Sequence, residues 1–372
     1  MNPNRRQFLA GAVAAALAAG SCGRGLTRNE LADPAAGPPA VEGLDPDEAA
    51  LLYYASLAPS GHNAQPWRVR VIKQFHWSVE SDLGRALPAT DPANREMTLG
   101  LGAFLENLSA AAGSLGYEAE IGEAQGTPGN GVSVDVRVVE ASPSGVPLET
   151  ISLRRVVKTG QLGRPFSRDT VTGLADKLEG YYYYFPRETA QGGFIAEVAL
   201  EAFRRQMNDA ATRSELSEWI RFDDDEARAQ RDGLTPESME VGGFAGWYFR
   251  HFIGREDVAG GDSFAQRGID LAAGQISQGA GWIILAGAGD TAQTLIEAGR
   301  RFERLFLGAR QRGVAVHPMS QALEISTWRD MLAVELGLDG TPQFVLRTGY
   351  IDRYPAPVSL RRPVDWFVER AG

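Results

Sequence analysis

The chain has 372 residues, 44% apolar and 23% charged, a balance that fits one large globular domain or two ordinary ones and excludes disordered and fibrous classes. Its 37 basic residues against 47 acidic ones give a formal net charge of -10 at pH 7, which argues against a general affinity for nucleic-acid phosphates. With one cysteine and four scattered histidines (His62, His76, His251, His317), no disulfide framework and no closely spaced zinc site can be assembled locally.

Residues 5–9 read Arg-Arg-Gln-Phe-Leu and run into Ala, Gly, Val and Leu as far as Gly20. This is the charged start, apolar middle and small-residue end of an export signal, and it is shorter than the roughly 20 apolar residues of a membrane span. The Arg5-Arg6 pair resembles a twin-arginine signal, a route that carries folded proteins. Ala19-Gly20-Ser21-Cys22 resembles a lipobox, which would make Cys22 the lipidated first residue of the mature chain; cleavage by ordinary signal peptidase would leave Cys22 incidental. The expectation is a signal over 1–22 and a periplasmic or outer-face location on a bacterial membrane, touching the membrane only through that anchor. Loss of residues 1–21 removes Arg5 and Arg6 and no acid, leaving 35 bases against 47 acids, a formal -12. Residues 23–44 have the Gly, Ala and Pro content of a linker.

Asp45-Pro46 supplies an N-cap and a first-turn proline for a helix ending near Ala58-Pro59. A loop over 59–66 leads to strands over 67–72 and 75–79, a long apolar helix over 95–115 stopped by Gly116, and a strictly alternating strand over 132–139. These form a first half, 45–147. The second half, 148–372, opens on Arg154-Arg155-Val156-Val157-Lys158 and predicts a helix over 169–179 and a strand over 181–185. A mostly helical stretch over 188–254 follows, broken near Gly192-Gly193 and Gly242-Gly243. Next come a buried strand over 281–286, an amphipathic helix over 292–311, and strands over 313–317 and 343–347. The recurring order of helix, loop, strand, long helix and strand predicts an α+β fold with one unit approximately duplicated.

The segment Ala58-Pro59-Ser60-Gly61-His62-Asn63-Ala64-Gln65-Pro66-Trp67 stops a helix, offers hydroxyl, amide and backbone N–H groups, and launches a strand. On composition alone it reads equally as a plain connection or as a turn for a planar heteroaromatic ring. The string resembles the flavin-binding turn of the nitroreductase superfamily. The helix at 298–312 before Gly313-Val314, its counterpart at 100–115, and the closing Gln343–Tyr350 stretch with Arg361-Arg362 are similar to other parts of that superfamily. One turn in the first half and basic segments in the second resemble the fused, two-repeat Acg-like branch, in which one chain imitates a dimer around one FMN. The resemblance covers about residues 46–366.

It implies a nitroreductase-like fold of two tandem repeats forming an intrachain pseudo-dimer, and a monomer. It also implies that Ser60 and Asn63, with Gln65 nearby, hydrogen-bond the isoalloxazine edge and that Arg154, Arg155 and Arg361 hold the phosphate. Lys158 or Arg164 stands in where the family's Ser-x-Arg is missing, and Ser320 neighbours flavin N5. No side-chain catalyst is implied, since the flavin carries the chemistry. The reading is an FMN-dependent oxidoreductase reducing a small flat acceptor, a quinone or nitro compound, from an unidentified donor; the alternative is an FMN-sequestering or storage protein, and a third possibility is a degenerate flavin site.

Competing motifs carry less. Gly287–Ala292 fits G-x-G-x-x-A but lacks the acidic residue of a dinucleotide site, and reads as a tight strand-to-helix turn. Asp223–Glu226 reads as a solvated helix face and not a metal site. No G-x-S-x-G elbow occurs. Trp247, Tyr248, Phe249 and Phe252 read as core aromatics in a 236–254 region whose alternative reading is a lid over the flavin.

Overall fold

A computed structural model describes residues 25–28, 38–176, 178 and 180–370. The expected export signal with Cys22, and half of the 23–44 segment, lie outside the described residues.

The first half starts with α1 (Pro46–Ser56), where the Asp45 carboxylate accepts from the Asp47 amide and Glu48 reaches back to the Asp45 amide. This reciprocal capping, with Pro46 leading the helix, satisfies N–H groups that no helical turn can reach. The chain then forms β1 (Trp67–Lys73), β2 (His76–Ser81), α2 (Arg95–Leu115), β3 (Tyr117–Thr127) and β4 (Gly131–Glu140). Gly116 closes α2 at φ 85°. The second half holds α3 (Leu148–Leu153), α4 (Arg168–Ala175), β5 (Tyr182–Pro186), α5 (Ala190–Asn208), α6 (Ala210–Trp219) and α7 (Asp224–Gln230). It continues with α8 (Gly243–Phe252), α9 (Arg255–Gly260), α10 (Asp262–Ile276), β6 (Gly281–Gly287) and α11 (Ala292–Gln311). The last elements are β7 (Val314–Pro318), α12 (Ser326–Glu335), β8 (Thr341–Tyr350) and β9 (Val368–Arg370).

Two sheets result, ordered β3-β4-β2-β1-β9 and β5-β6-β8-β7. The C-terminal β9 crosses back to pair parallel with β1, Val69 opposite Val368, so the second half supplies the edge of the first half's sheet. All seven residues of β6 are buried. Ile283 and Leu285 face one core with Phe302 and Phe306, and Trp282 and Ile284 face another with Ile195 and Leu332, which explains an unbroken apolar run in a central strand. Between the sheets α2 and α11 touch backbone to backbone. A Cβ on Gly102 would lie 2.3 Å from the Ile296 carbonyl oxygen, and one on Gly299 2.0 Å from that of Leu99.

Several expectations are corrected. β3 was not foreseen, because its Glu- and Gly-rich sequence sits at a sheet edge and buries little. α5 runs through Gly192-Gly193 unbroken; Gly192 is buried where its missing Cβ would strike the Pro186 carbonyl. The helical stretch breaks instead at Asp209, which ends α5 and caps α6. α4 stops at Ala175, short of the expected 179. The acidic run does local structural work: Asp223 caps α7, Asp224 accepts from the Leu26 amide, and Glu226 pairs with Arg255. Of the presumed core aromatics, Phe249 is buried, whereas Tyr248 and Phe252 are exposed.

Candidate functional site

The Ser60–Gln65 turn is held in an uncommon backbone shape. His62, Asn63 and Gln65 have φ of 49°, 53° and 53°, left-handed values that side-chain-bearing residues rarely adopt and that tertiary contacts must enforce. Those contacts are present. The Asn63 amide donates to the Gly233 and Leu360 carbonyls and its oxygen accepts from Arg361; the Gln65 amide donates to Arg231 O and accepts from the Arg362 N–H. The Ser60 hydroxyl oxygen accepts from the Gln65 N–H at 2.9 Å, which leaves its own proton to donate elsewhere.

The turn borders a cavity of about 1100 Å³. Pro59, Ser60, Gly61 and His62 line it from the first half, with Glu96 and Gly100 of α2. Lys158, Met239, Glu240 and the His317–Gln321 stretch line it from the second half. The Ser320 hydroxyl accepts from Val345 N–H at 3.2 Å and so also keeps its proton.

The titratable groups around the cavity are shifted by burial. Burial and the neighbouring Glu324 carboxylate push Glu96 up to about 8, so it holds a proton at neutral pH. Asp91 rises to about 6 for the same two reasons, and Arg95 bridges this acidic group through Glu324. Burial, reinforced by Lys158, lowers His62 to about 4. His317 is held well below its ordinary value by burial and by Arg347. Because Arg347 can only donate, its 3.1 Å contact to His317 Nδ1 places the imidazole proton on Nε2. Burial lowers Lys158, against the pull of Glu240. The Glu240 carboxylate, on a residue with φ 61°, accepts from Arg155 Nη2 at 2.9 Å, Lys158 N–H at 3.0 Å and the Thr159 hydroxyl at 2.6 Å.

Of the nine residues singled out for the flavin in the sequence, Ser60, Lys158 and Ser320 line the cavity, whereas Arg164 stacks over the Tyr350 ring at 4.1 Å and does not. Asn63 and Gln65 lie behind the turn as its braces. Arg155 meets the cavity wall through Glu240. Arg154 and Arg361 lie deeper, and both donate to the Leu57 carbonyl. Arg154 pairs with fully buried Glu303 at 2.8 Å and stacks over Phe306, while Arg361 also donates to Ala58 O. Arg28 joins these two, lowered to about 10 by burial, with Arg154 adding to the shift. Residues 25–28 are therefore packed on the body, with Leu26 buried against Ala227 and Leu360. Glu303, pushed up to about 7 by burial despite Arg154, is a weak counter-charge to three guanidinium groups. Sequence reasoning missed Glu96 as a wall residue, and reached His62, Glu240 and His317 only as members of the turn, of the 236–254 stretch and of the segment around Ser320. Proximity of Glu96 to the turn follows from the packing of α2, for which no local motif exists. Among the described residues no group of three His, Cys, Asp or Glu gathers as a metal site, and no helix is long and apolar enough to cross a membrane.

No protein-family profile matches the chain. It is similar to curated proteins along most of its length. A Mycobacterium tuberculosis protein provisionally named an NAD(P)H nitroreductase is 28% identical over 354 residues, covering 90% of this chain and 95% of the relative. The acg protein of the same organism, which carries the same kind of provisional name, is 26% identical over 329 residues, 84% of this chain and 92% of the relative. PigM of a Serratia species, also provisionally named an NAD(P)H nitroreductase, is 26% identical over 79% of this chain and 86% of its own. The mixed α+β architecture is consistent with a nitroreductase-like fold, and the likeness supports the nitroreductase superfamily and an oxidoreductase.

Proposed function

We propose that the chain is an exported FMN-dependent oxidoreductase of nitroreductase type, reducing a flat acceptor such as a quinone or nitro compound by two electrons, with two repeats acting as an internal pseudo-dimer around one cofactor. The observation that carries the reading is the cavity itself. It joins the strained Ser60–His62 turn of one half to Lys158 and the His317–Gln321 stretch of the other, and its volume passes the upper end of what one drug-sized ligand fills, about 1,000 Å³.

The residues fit the cofactor. Ser60 and Ser320 keep hydroxyl protons for a heteroaromatic edge, and His317 offers Nε2–H. The guanidinium excess of Arg28, Arg154 and Arg361 against Glu303, and the Arg155–Lys158 group that holds Glu240, are anion-seeking chemistry. FMN held here would supply two-electron redox chemistry between a donor and the acceptor. The protein's part is to hold the ring against the turn, exclude water with the Met239–Val241 wall, and keep a proton on Glu96 for an acceptor that gains two electrons and two protons. The relatives' names point to nicotinamide donors; for an exported chain, away from the cytoplasmic nicotinamide pool, a membrane or periplasmic carrier serves instead.

The visible spectrum of the purified chain tests this. A colourless protein that takes up no added FMN refutes the reading. Arg155→Ala, at the guanidinium that reaches the cavity wall through Glu240, should weaken FMN binding by about 1.5–3 kcal/mol, the contribution of one charge-assisted contact. Reduction with dithionite followed by menadione separates turnover from storage, because a storing protein reoxidises no faster than free FMN.

A further inference from the structure

The cavity has a second wall that the flavin turn does not use. Helices α5, α6, α8 and α10 present Phe203, Met207, Leu216, Phe249, Phe264 and Leu271 to it. The wall is continuous, because Leu216 and Phe264 pack into both the Met207–Ile269 cluster and the Ile220–Phe249 cluster. α5 and α10 approach closely at Gly268, where a Cβ would sit 3.3 Å from the Met207 methyl. The charged residue of this wall, Arg267, is exposed. The cavity reaches the surface through apolar side chains: Tyr248 and Leu271 line it yet are 41% and 47% exposed, and Phe252, 59% exposed, stacks on Tyr248 at 5.1 Å.

A small flat acceptor would leave this wall wet, whereas a hydrocarbon chain would dry it and pass through an apolar rim of the kind that marks a binding surface. We infer that the acceptor is a lipid-soluble quinone whose hydrocarbon chain lies along the α5–α10 wall and leaves between Tyr248 and Leu271. This inference rests on the oxidoreductase reading above and names its substrate class. An outward-facing rim also suits a chain tethered to a membrane, where such quinones reside.

The test titrates the FMN-loaded chain with menadione and with menadione bearing a decyl chain on its quinone ring. Tryptophan fluorescence follows binding, and anaerobic reoxidation after dithionite follows electron transfer. The decyl derivative should bind at least tenfold more tightly. Leu271→Glu, at an exposed position, should remove that gain while leaving menadione affinity within twofold. Equal affinity for the two quinones overturns the inference, as does a chain-dependent gain that survives both Leu271→Glu and Phe203→Gln. Decanoate competing as strongly as the decyl quinone would assign the wall to fatty acids and overturn it as well. The same titration without FMN keeps the two readings apart: a chain that takes up no flavin defeats the oxidoreductase reading, while the difference between the quinones still reports on the wall.

Discussion

Glu96 and Glu240 show how much of this site is decided by single carboxyl groups. Glu96 faces Glu324, Asp91 and Arg95, and its acidity is moved from an ordinary 4.5 to about 8 by burial first and Glu324 second. A carboxyl whose folded pKa is raised favours folding below the unfolded value, and that contribution is lost as pH rises through about 8. Glu96→Gln should therefore flatten the decline in stability between pH 5 and pH 9, making the variant the more stable protein at pH 9; denaturant midpoints at the two pH values measure it, and parallel curves would contradict the burial argument. Glu240 occupies an anion's place among Arg155, Lys158 and Thr159. If the cofactor phosphate competes for those donors, Glu240→Gln should tighten FMN binding about tenfold, read by titration, and a weaker complex would make Glu240 a support of the site. Neither carboxylate stands out in the sequence. Ser60, Asn63 and Gln65 do, because a proline-stopped helix followed by small polar residues and Pro66-Trp67 is a local pattern. Their division of labour is not local: Ser60 lines the cavity, while Asn63 and Gln65 spend their amides on Gly233, Leu360, Arg231 and Arg362, residues far along the chain.

At the level of elements, α2 and α11 were readable almost to the residue. Each has a long apolar stripe and a clear end, Gly116 for one and the Arg310–Gly313 turn for the other. Their mutual contact depends on the two glycines at the crossing. Gly299→Ala would drive a methyl to 2.0 Å from the Leu99 carbonyl oxygen, so the helices must separate. Overpacking of this kind costs about 1–3 kcal/mol, and a lower thermal midpoint is the expected result, whereas Gly274→Ala in α10, with nothing near its Cβ position, should hold or raise the midpoint, since Ala favours a helix over Gly. β3 and the course of α5 were unreadable for the opposite reason. An edge strand buries too little to leave a pattern, and in the Gly192-Gly193 pair, which resembles a helix break in sequence, Gly192 reflects close approach to Pro186 and Arg187 while the Cβ position of Gly193 is open.

In the whole molecule the halves are interdependent. β9 and its neighbours Val364 and Phe367, both buried, complete the core around Trp67 and Phe104, so truncation after Leu360 should leave the first sheet uncovered and the chain insoluble or strongly destabilised, as circular dichroism and solubility would show. Residues 45–147 expressed alone should fail for the same reason. Local sequence by itself determined what local physics controls: an α+β chain with two long amphipathic helices, an acidic surface, an unusual turn at 59–66 and a cationic tail. Tertiary structure alone decided which of those charges face the cavity and which are buried as braces, that a C-terminal strand closes an N-terminal sheet, and that four helices of the second half form an apolar wall beside the turn. Periodicity and caps act over a few residues and are written in the sequence, whereas desolvation and proximity, which set both acidity and cavity shape, exist only once distant segments have packed.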